Sequence, residues 1–175
     1  MGKLVDVQDE VEARRVLEER AQRDGLTGAY NAAACRRLIE GRLQKEEGGT
    51  LLIVDLDHFK CINDAYGHYA GDQVLVGLVK ILQKTFRRED IVGRLGGDEF
   101  IVYMQGVTER PVLEEKCGLL NERVRRMDHG IEGLTVRISI GGAVADGQGY
   151  EELYQLADKA LYLAKNNGRD GYRLL

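Results

Sequence analysis

The sequence has no apolar run long enough to cross a bilayer. Its longest purely aliphatic stretch is Leu51-Leu52-Ile53-Val54, whereas a membrane helix needs roughly 20 such residues. The opening residues Met1-Gly2-Lys3-Leu4-Val5-Asp6 carry neither an apolar signal core nor the Ser or Thr at position 6 that myristoylation prefers. A cytoplasmic chain with no membrane contact by this segment is the expectation. Cysteine is scarce: Cys35, Cys61 and Cys117 are an odd number at wide spacing, with no CxxC pair and no accompanying histidine pattern. That argues against a disulfide framework and against a zinc site. A long Lys/Arg tract is also missing, and 25 basic against 29 acidic residues leave a net charge of −4, so no nucleic-acid partner is expected. Neither GxxxxGK[ST] nor GxGxxG occurs, which removes the P-loop and Rossmann nucleotide sites. Any phosphate recognition must be local.

What is present is the composition of a folded domain. The 175 residues are 43% apolar and 31% charged, enough for one compact unit with a sizeable core. From Val7 to about Arg23 the chain is charged and free of Gly and Pro, with Val11, Val16, Leu17 and Ala21 among its few further apolar positions. So thin a stripe predicts a linker helix rather than a core helix, so residues 1–23 are set apart from a domain over 24–175. Within that domain the pattern predicts a helix from about Ala32 to Lys45 capped by Asn31, a buried strand Leu51 to Asp55 and a short helix around Phe59 to Ala65. A helix Gly71 to Phe86 follows, then strands Ile91 to Leu95 and Phe100 to Tyr103 around a Gly-bearing turn. Pro111 suits the first turn of a helix running to about Met127, and Thr135 to Val144 reads as a strand. Leu153, Leu156, Ala157, Ala160, Leu161 and Ala164 mark the cleanest amphipathic helix, before a short strand Tyr172 to Leu174. Helices interleave with strands but a tight hairpin sits in the middle. The class is therefore α+β in the ferredoxin-like style, with a central, mostly antiparallel sheet flanked by helices. Cys35 and Cys117 fall on apolar helix stripes and read as small core hydrophobes.

Two stretches could carry chemistry. Gly96-Gly97-Asp98-Glu99 places two carboxylates at a hairpin tip after two residues that admit close approach of backbone or ligand. Consecutive extended residues point to opposite faces, so Asp98 and Glu99 should divide their roles, one of them meeting Asp55 at the end of the first strand. Converging carboxylates suit a Mg²⁺ shared with nucleotide phosphates; a Gly-rich hairpin with a solvated acidic tip fits the bare pattern too. Asp55 to Asp72 is more polar than a connection requires. There Lys60 could hold a phosphate, while Asn63 and Asp72 have the donor and acceptor groups to read a guanine edge; a capped loop between helices is the alternative. Lys165 and Arg169, four apart at the end of the last long helix, either complement its dipole or clamp outer phosphates. His58 and His68 stand alone and read as surface residues.

Arg94-Leu95-Gly96-Gly97-Asp98-Glu99-Phe100 resembles the signature of the GGDEF family of diguanylate cyclases. Four further blocks of that family are present in order. Asp24-Gly25-Leu26-Thr27 resembles its opening DxLT, Asp55 to Asp72 its D-x-D-x-F-K-x-x-N-D-x-x-G-H-x-x-G-D block, Ser139-Ile140-Gly141 its SIG strand, and Asp158 to Arg169 its D-x-A-L-Y-x-A-K-x-x-G-R ending. The resemblance implies a nucleotidyl-cyclase, palm-like fold and condensation of two GTP into cyclic di-GMP in the bacterial cytoplasm. It implies that Asp55, Asp98 and the Leu56 carbonyl ligate Mg²⁺ (or Mn²⁺), and that Glu99 joins the metal site or helps deprotonate the attacking hydroxyl. Gly96 and Gly97 would line the substrate, Asn63 and Asp72 would recognise guanine, and Lys60, Lys165 and Arg169 would hold the β- and γ-phosphates. Each domain would hold one GTP, so catalysis would need a homodimer, transient in a chain of this length. Arg87 and Asp90 resemble the family's inhibitory RxxD site for its own product. Catalytically silent GTP or cyclic di-GMP binding and a purely dimerising domain are the alternatives. Departures from the family pattern are Ala29, Ala32, Leu95, Gly142 and Asp170. Gly2 to Asp9 resembles the last strand of a PAS sensor domain, followed by a signalling helix.

Overall fold

The computed structural model describes residues 2–45 and 48–175, so Met1 of the expected linker segment lies outside the described residues. The chain runs α1 (Gly2–Ala21), α2 (Ala32–Leu43), β1 (Gly49–Leu56), α3 (Phe59–Tyr66), α4 (His68–Thr85), β2 (Ile91–Gly96), β3 (Glu99–Gln105), α5 (Arg110–Arg125), β4 (Ile138–Ala145), α6 (Tyr150–Asn166) and β5 (Tyr172–Leu174). The five strands form one sheet in the order β2-β3-β1-β4-β5. β1 lies at its centre, antiparallel to both β3 and β4, β2 is antiparallel to β3, and only β4 and β5 are parallel. This is the expected α+β class. Among the described residues no helix is long and apolar enough to cross a membrane.

β1 is buried at all eight positions because both faces of the sheet are covered. Side chains of a strand alternate between faces, and the core divides by that parity. Leu52, Val54 and Leu56 pack with Val74, Leu78 and Leu82 of α4 and Leu113, Leu120 and Val124 of α5. Leu51 and Ile53 pack on the other face with Cys35 and Ile39 of α2 and Leu153, Ala157 and Leu161 of α6. Cys35 and Cys117 are fully buried, and burial pushes both thiols up to about 12.

α2 begins where expected, with the Asn31 side chain accepting from the Ala34 N–H. Some boundaries move. α4 starts at His68, since Gly67 at φ 87° ends α3 and starts the next helix at once. β4 starts at Ile138 rather than Thr135, because its partner β1 ends at Leu56, directly opposite Ile138. The stretch from Gly2 that resembles a closing strand is helical; a strand needs a ladder partner, and among the described residues no strand lies beside it. Val7, Val11 and Leu17 on α1 are exposed, in line with a helix that builds no core.

The backbone of α6 lies close against that of β4. A Cβ at Gly141 would stand 2.1 Å from the Leu161 nitrogen and 2.3 Å from the Ala157 carbonyl oxygen, both backbone atoms. Ala157, Ala160 and Ala164 keep the helix's own inner surface low. Gly141→Ala therefore has to displace α6, and we expect a loss of about 1–3 kcal/mol, read as a lower urea midpoint with unchanged slope.

Candidate functional site

The site is built at one end of β1. In the β1–β3 ladder Asp55 is directly opposite Glu99, and in the β1–β4 ladder it is opposite Ser139. Directly paired antiparallel residues share a face, so Asp55 and Glu99 are neighbours. Asp98 occupies the turn between β2 and β3, and its carbonyl accepts from the Leu56 N–H at 3.2 Å, joining the hairpin tip to the end of the central strand. Gly97 at φ 50° takes the left-handed position of that turn, which favours glycine. The two family carboxylates at the tip thus differ in kind: Glu99 belongs to the ladder and Asp98 to the turn.

Asp55 is only 7% exposed. Burial pushes its carboxyl up to about 6, the nearby charges of Asp98 and Glu99 add to the rise, and Lys165, whose Nζ lies 3.0 Å from Oδ1, opposes it. Burial also raises Glu99, with Asp98 and Asp158 adding to the rise and Lys165 again opposing. Two paired carboxylates at a strand end, with the charge of Asp98 nearby and one ammonium beside them, form a hard-oxygen donor set short of positive charge, which fits a hard divalent cation. Among the described residues no three His, Cys, Asp or Glu side chains stand close enough to hold a metal ion by themselves. Two carboxylates, the Leu56 carbonyl and substrate phosphates would complete such a shell.

The polar block after β1 forms α3 and the start of α4. His58 enters α3 in a left-handed conformation with no side-chain cap bond. Lys60 and Asp72 are exposed and Asn63 is half-buried. Gly71 lies against Asn63: a Cβ there would meet Asn63 Oδ1 at 1.9 Å, so glycine at 71 makes room for the amide. At the end of α6, Lys165 reaches the carboxylates while Arg169 is exposed. Among the described residues the side chains of Lys60, Asn63, Asp72 and Arg169 make no hydrogen bond or ion pair. They are free to meet a ligand.

Arg87 and Asp90 lie apart from this cluster, in the turn between α4 and β2. Asp90 Oδ2 accepts from the Arg87 N–H at 2.8 Å and Oδ1 from the Gln105 N–H at 3.3 Å. Burial raises Asp90, opposed by these two backbone donors and the Arg87 charge. Asp90 thus holds its own turn together.

Sequence reasoning missed the residues that mount the tip. Arg94 donates from Nε and Nη2 to the Gly97 carbonyl at 3.1 and 2.8 Å, and from Nη1 to both oxygens of Asp24 at 3.1 and 3.3 Å. Asp24 also accepts from the Thr27 N–H and hydroxyl at 2.9 and 2.7 Å. The DxLT block is therefore the anchor of the Gly-Gly turn. Asp57 was missed as well: it is buried, accepting from the Ser139 hydroxyl at 2.7 Å and the Asp170 N–H at 2.9 Å. In the sequence its signal is its place as the second Asp of the D-x-D block, two positions after Asp55. Burial alone would raise Asp24, but Thr27 and Arg94 outweigh it and hold the carboxyl below its usual value. Its stabilisation is thus fully present above the ordinary carboxylate pKa of about 4 and is lost as pH falls through the lowered value. We expect Asp24→Ala to lose about 1–3 kcal/mol near neutrality, with the two unfolding free energies converging in acid when urea titrations are repeated down the pH scale.

Comparison with known proteins identifies the family of the chain. The model of the family described as diguanylate cyclase, GGDEF domain, matches residues 21–171. The probable diguanylate cyclase DgcC of Escherichia coli strain K12 is 39% identical over 177 residues, which cover 91% of this chain and 44% of DgcC; the chain thus spans less than half the length of that relative. The coiled coil and GGDEF domain of DgcB from Caulobacter crescentus, solved in complex with c-di-GMP, superimposes with a TM-score of 0.89 at 24% identity, over 99% of this chain and 98% of that one, and shares the fold. A microbial GGDEF domain studied for its interaction with cyclic di-GMP is 32% identical, with a TM-score of 0.75 over 89% of this chain and 98% of that one. The match spans most of the chain, the hairpin tip and the end of α6 included, and the chain belongs to the family of GGDEF diguanylate cyclase domains.

Proposed function

We propose that this chain condenses two GTP into cyclic di-GMP with release of two pyrophosphates, using a bound Mg²⁺ or Mn²⁺. The observation that carries the reading is the meeting of Asp55, Glu99 and the Asp98 tip around Lys165, with Asp55 and Glu99 both raised. Asp55, Asp98 and the Leu56 carbonyl would hold the cation. When bound, it supplies positive charge to the reacting phosphate and the leaving pyrophosphate. The Lys165 ammonium lies beside Asp55 and neutralises it in part; with a nucleotide bound, Lys165, Lys60 and Arg169 would meet the β- and γ-phosphates. Asn63 and Asp72 read guanine by offering an amide donor and acceptor and a carboxylate acceptor. Glu99, whose carboxyl burial pushes above its ordinary value, joins the metal site or accepts the proton of the attacking 3′-hydroxyl. Gly96 and Gly97 leave room for the nucleotide beside the tip.

One domain holds one GTP, so the 3′-hydroxyl of one nucleotide reaches the α-phosphate of the other only when two copies face each other. Specific activity should therefore climb with protein concentration. Incubation with GTP and Mg²⁺ followed by chromatography should yield one cyclic di-GMP for every two pyrophosphates, with ATP a poor substitute. Asp98→Ala should abolish turnover while leaving the urea midpoint within ~0.5 kcal/mol of wild type, since it lies at a surface turn. Nucleotide binding without any product would instead identify a silent binding module.

Product inhibition is proposed at Arg87 and Asp90. A guanidinium offers a planar fork to a guanine edge or phosphate, and a carboxylate accepts from guanine N–H groups. Because the turn uses the Arg87 backbone N–H and the Asp90 carboxylate, the two substitutions should separate. Arg87→Ala relieves inhibition by cyclic di-GMP with the maximal rate and stability kept, whereas Asp90→Ala relieves it and also lowers the unfolding midpoint. Inhibition curves that are unchanged in Arg87→Ala refute the site.

A further inference from the structure

The loop after α6 carries an arrangement that the proposed chemistry does not account for. Gly168 has φ 102°, and the next two residues, Arg169 and Asp170, are also left-handed at φ 62° and 45°. Two consecutive non-glycine residues keep that conformation only where their surroundings over-determine it. Here the restraints are explicit. The Arg169 N–H donates to the Ala164 carbonyl at 3.2 Å, and the Asp170 N–H donates to Asp57 Oδ2 at 2.9 Å. Asp57 is in turn held by the Ser139 hydroxyl at 2.7 Å. From the other side Arg125, in the last turn of α5, donates from Nε to both oxygens of the Asp170 carboxylate at 3.0 Å and from Nη2 to the Asp170 carbonyl at 3.2 Å. Arg137 Nε stands 3.5 Å from Asp170 Oδ2.

Asp170 is thus gripped at its amide, its carbonyl and its carboxylate. The residue before it, Arg169, has a guanidinium with no partner among the described residues. A half-exposed ion pair contributes little to stability by itself, but a guanidinium fork closed on a carboxylate and the same residue's carbonyl fixes orientation. We propose that Arg125 and Asp170 are positioning residues: α5, which contributes nothing to the carboxylate cluster, grips the Gly168–Gly171 loop and so presents Arg169 to the phosphates of the substrate. The benefit is preorganisation, since a loop already ordered loses less freedom when an anion arrives. The inference rests on the reading that Arg169 receives phosphate, and it extends the machinery to an element outside the site.

The test needs no turnover. Wild type, Arg125→Ala, Arg169→Ala and the double variant are compared by hydrogen exchange of the Asp170 and Gly171 amides without ligand, and by calorimetric binding of inorganic triphosphate with Mg²⁺. Arg125→Ala should speed exchange at those amides. It should also weaken triphosphate binding roughly tenfold, the scale of one charge-assisted hydrogen bond, and should have no further effect once Arg169 is already alanine. In GTP turnover it should raise KM more than it lowers kcat. Unchanged loop exchange, additive effects of the two substitutions, a lower unfolding midpoint as the sole change, or a wild-type chain that does not bind triphosphate would each overturn the proposal. If no variant makes cyclic di-GMP while the exchange and triphosphate results hold, the cyclase reading fails and the positioning role stands. Normal cyclisation with an indifferent loop removes the positioning role alone.

Discussion

A carboxylate buried at the end of the central strand is the constraint around which this domain is arranged. Asp55 is 7% exposed and its carboxyl is raised to about 6, so its ionised form depends on positive charge brought to it. Lys165 can bring that charge because α6 lies against β4 with no side chain between them at Gly141. Glu99 is opposite Asp55 because the β1–β3 register places it there, and a slip of one residue would turn it to the other face. The hairpin tip is then held in place twice, by the Asp98 carbonyl on the Leu56 N–H and by Arg94 bridging Gly97 to Asp24. Packing, register and electrostatics converge on one strand end.

The parts legible in the sequence are those that depend on short-range periodicity. α6 announced itself because Leu153, Ala157, Ala160, Leu161 and Ala164 all face the sheet, and the hairpin because a Gly-Gly pair stands between two apolar β-branched runs. What was not legible joins residues far apart in the chain. Arg94 meets Asp24 across 70 positions and Asp57 meets the Asp170 amide across 113, and no local pattern encodes either contact. The block order of the family pointed to candidate ligand-binding residues, and among the described residues the side chains of Lys60, Asn63, Asp72 and Arg169 make no bond inside the protein. The residues that hold them in place became visible only with the fold. The expected strand near Gly2 went the other way, since a short resemblance carries no information about whether a ladder partner is at hand.

The departures from the family pattern have local explanations. Ala29 is fully buried and its carbonyl accepts from the Asp24 N–H at 2.8 Å, so a small side chain there leaves the opening turn closed around Asp24. Gly142 needs no side chain because Leu52 and Leu174 already fill its space, each within 2.7 Å of where a Cβ would stand. Leu95 packs with the cluster on the α2 and α6 face. Asp170 is the departure with a partner, Arg125, on a different element. Nothing in the structure explains Ala32, which is exposed at the start of α2.

In the proposed function Lys165 leaves Asp55 for the phosphates when a cation and a nucleotide bind. A crystal structure of the chain with Mn²⁺ and a non-reacting GTP analogue, with the metal located by its anomalous signal, tests this most directly. The expected result is Mn²⁺ bound by Asp55, Asp98 and the Leu56 carbonyl, with the Lys165 ammonium withdrawn from Asp55 onto the phosphates. Metal bound elsewhere, with the Asp55–Lys165 pair still closed beside a bound nucleotide, would contradict it.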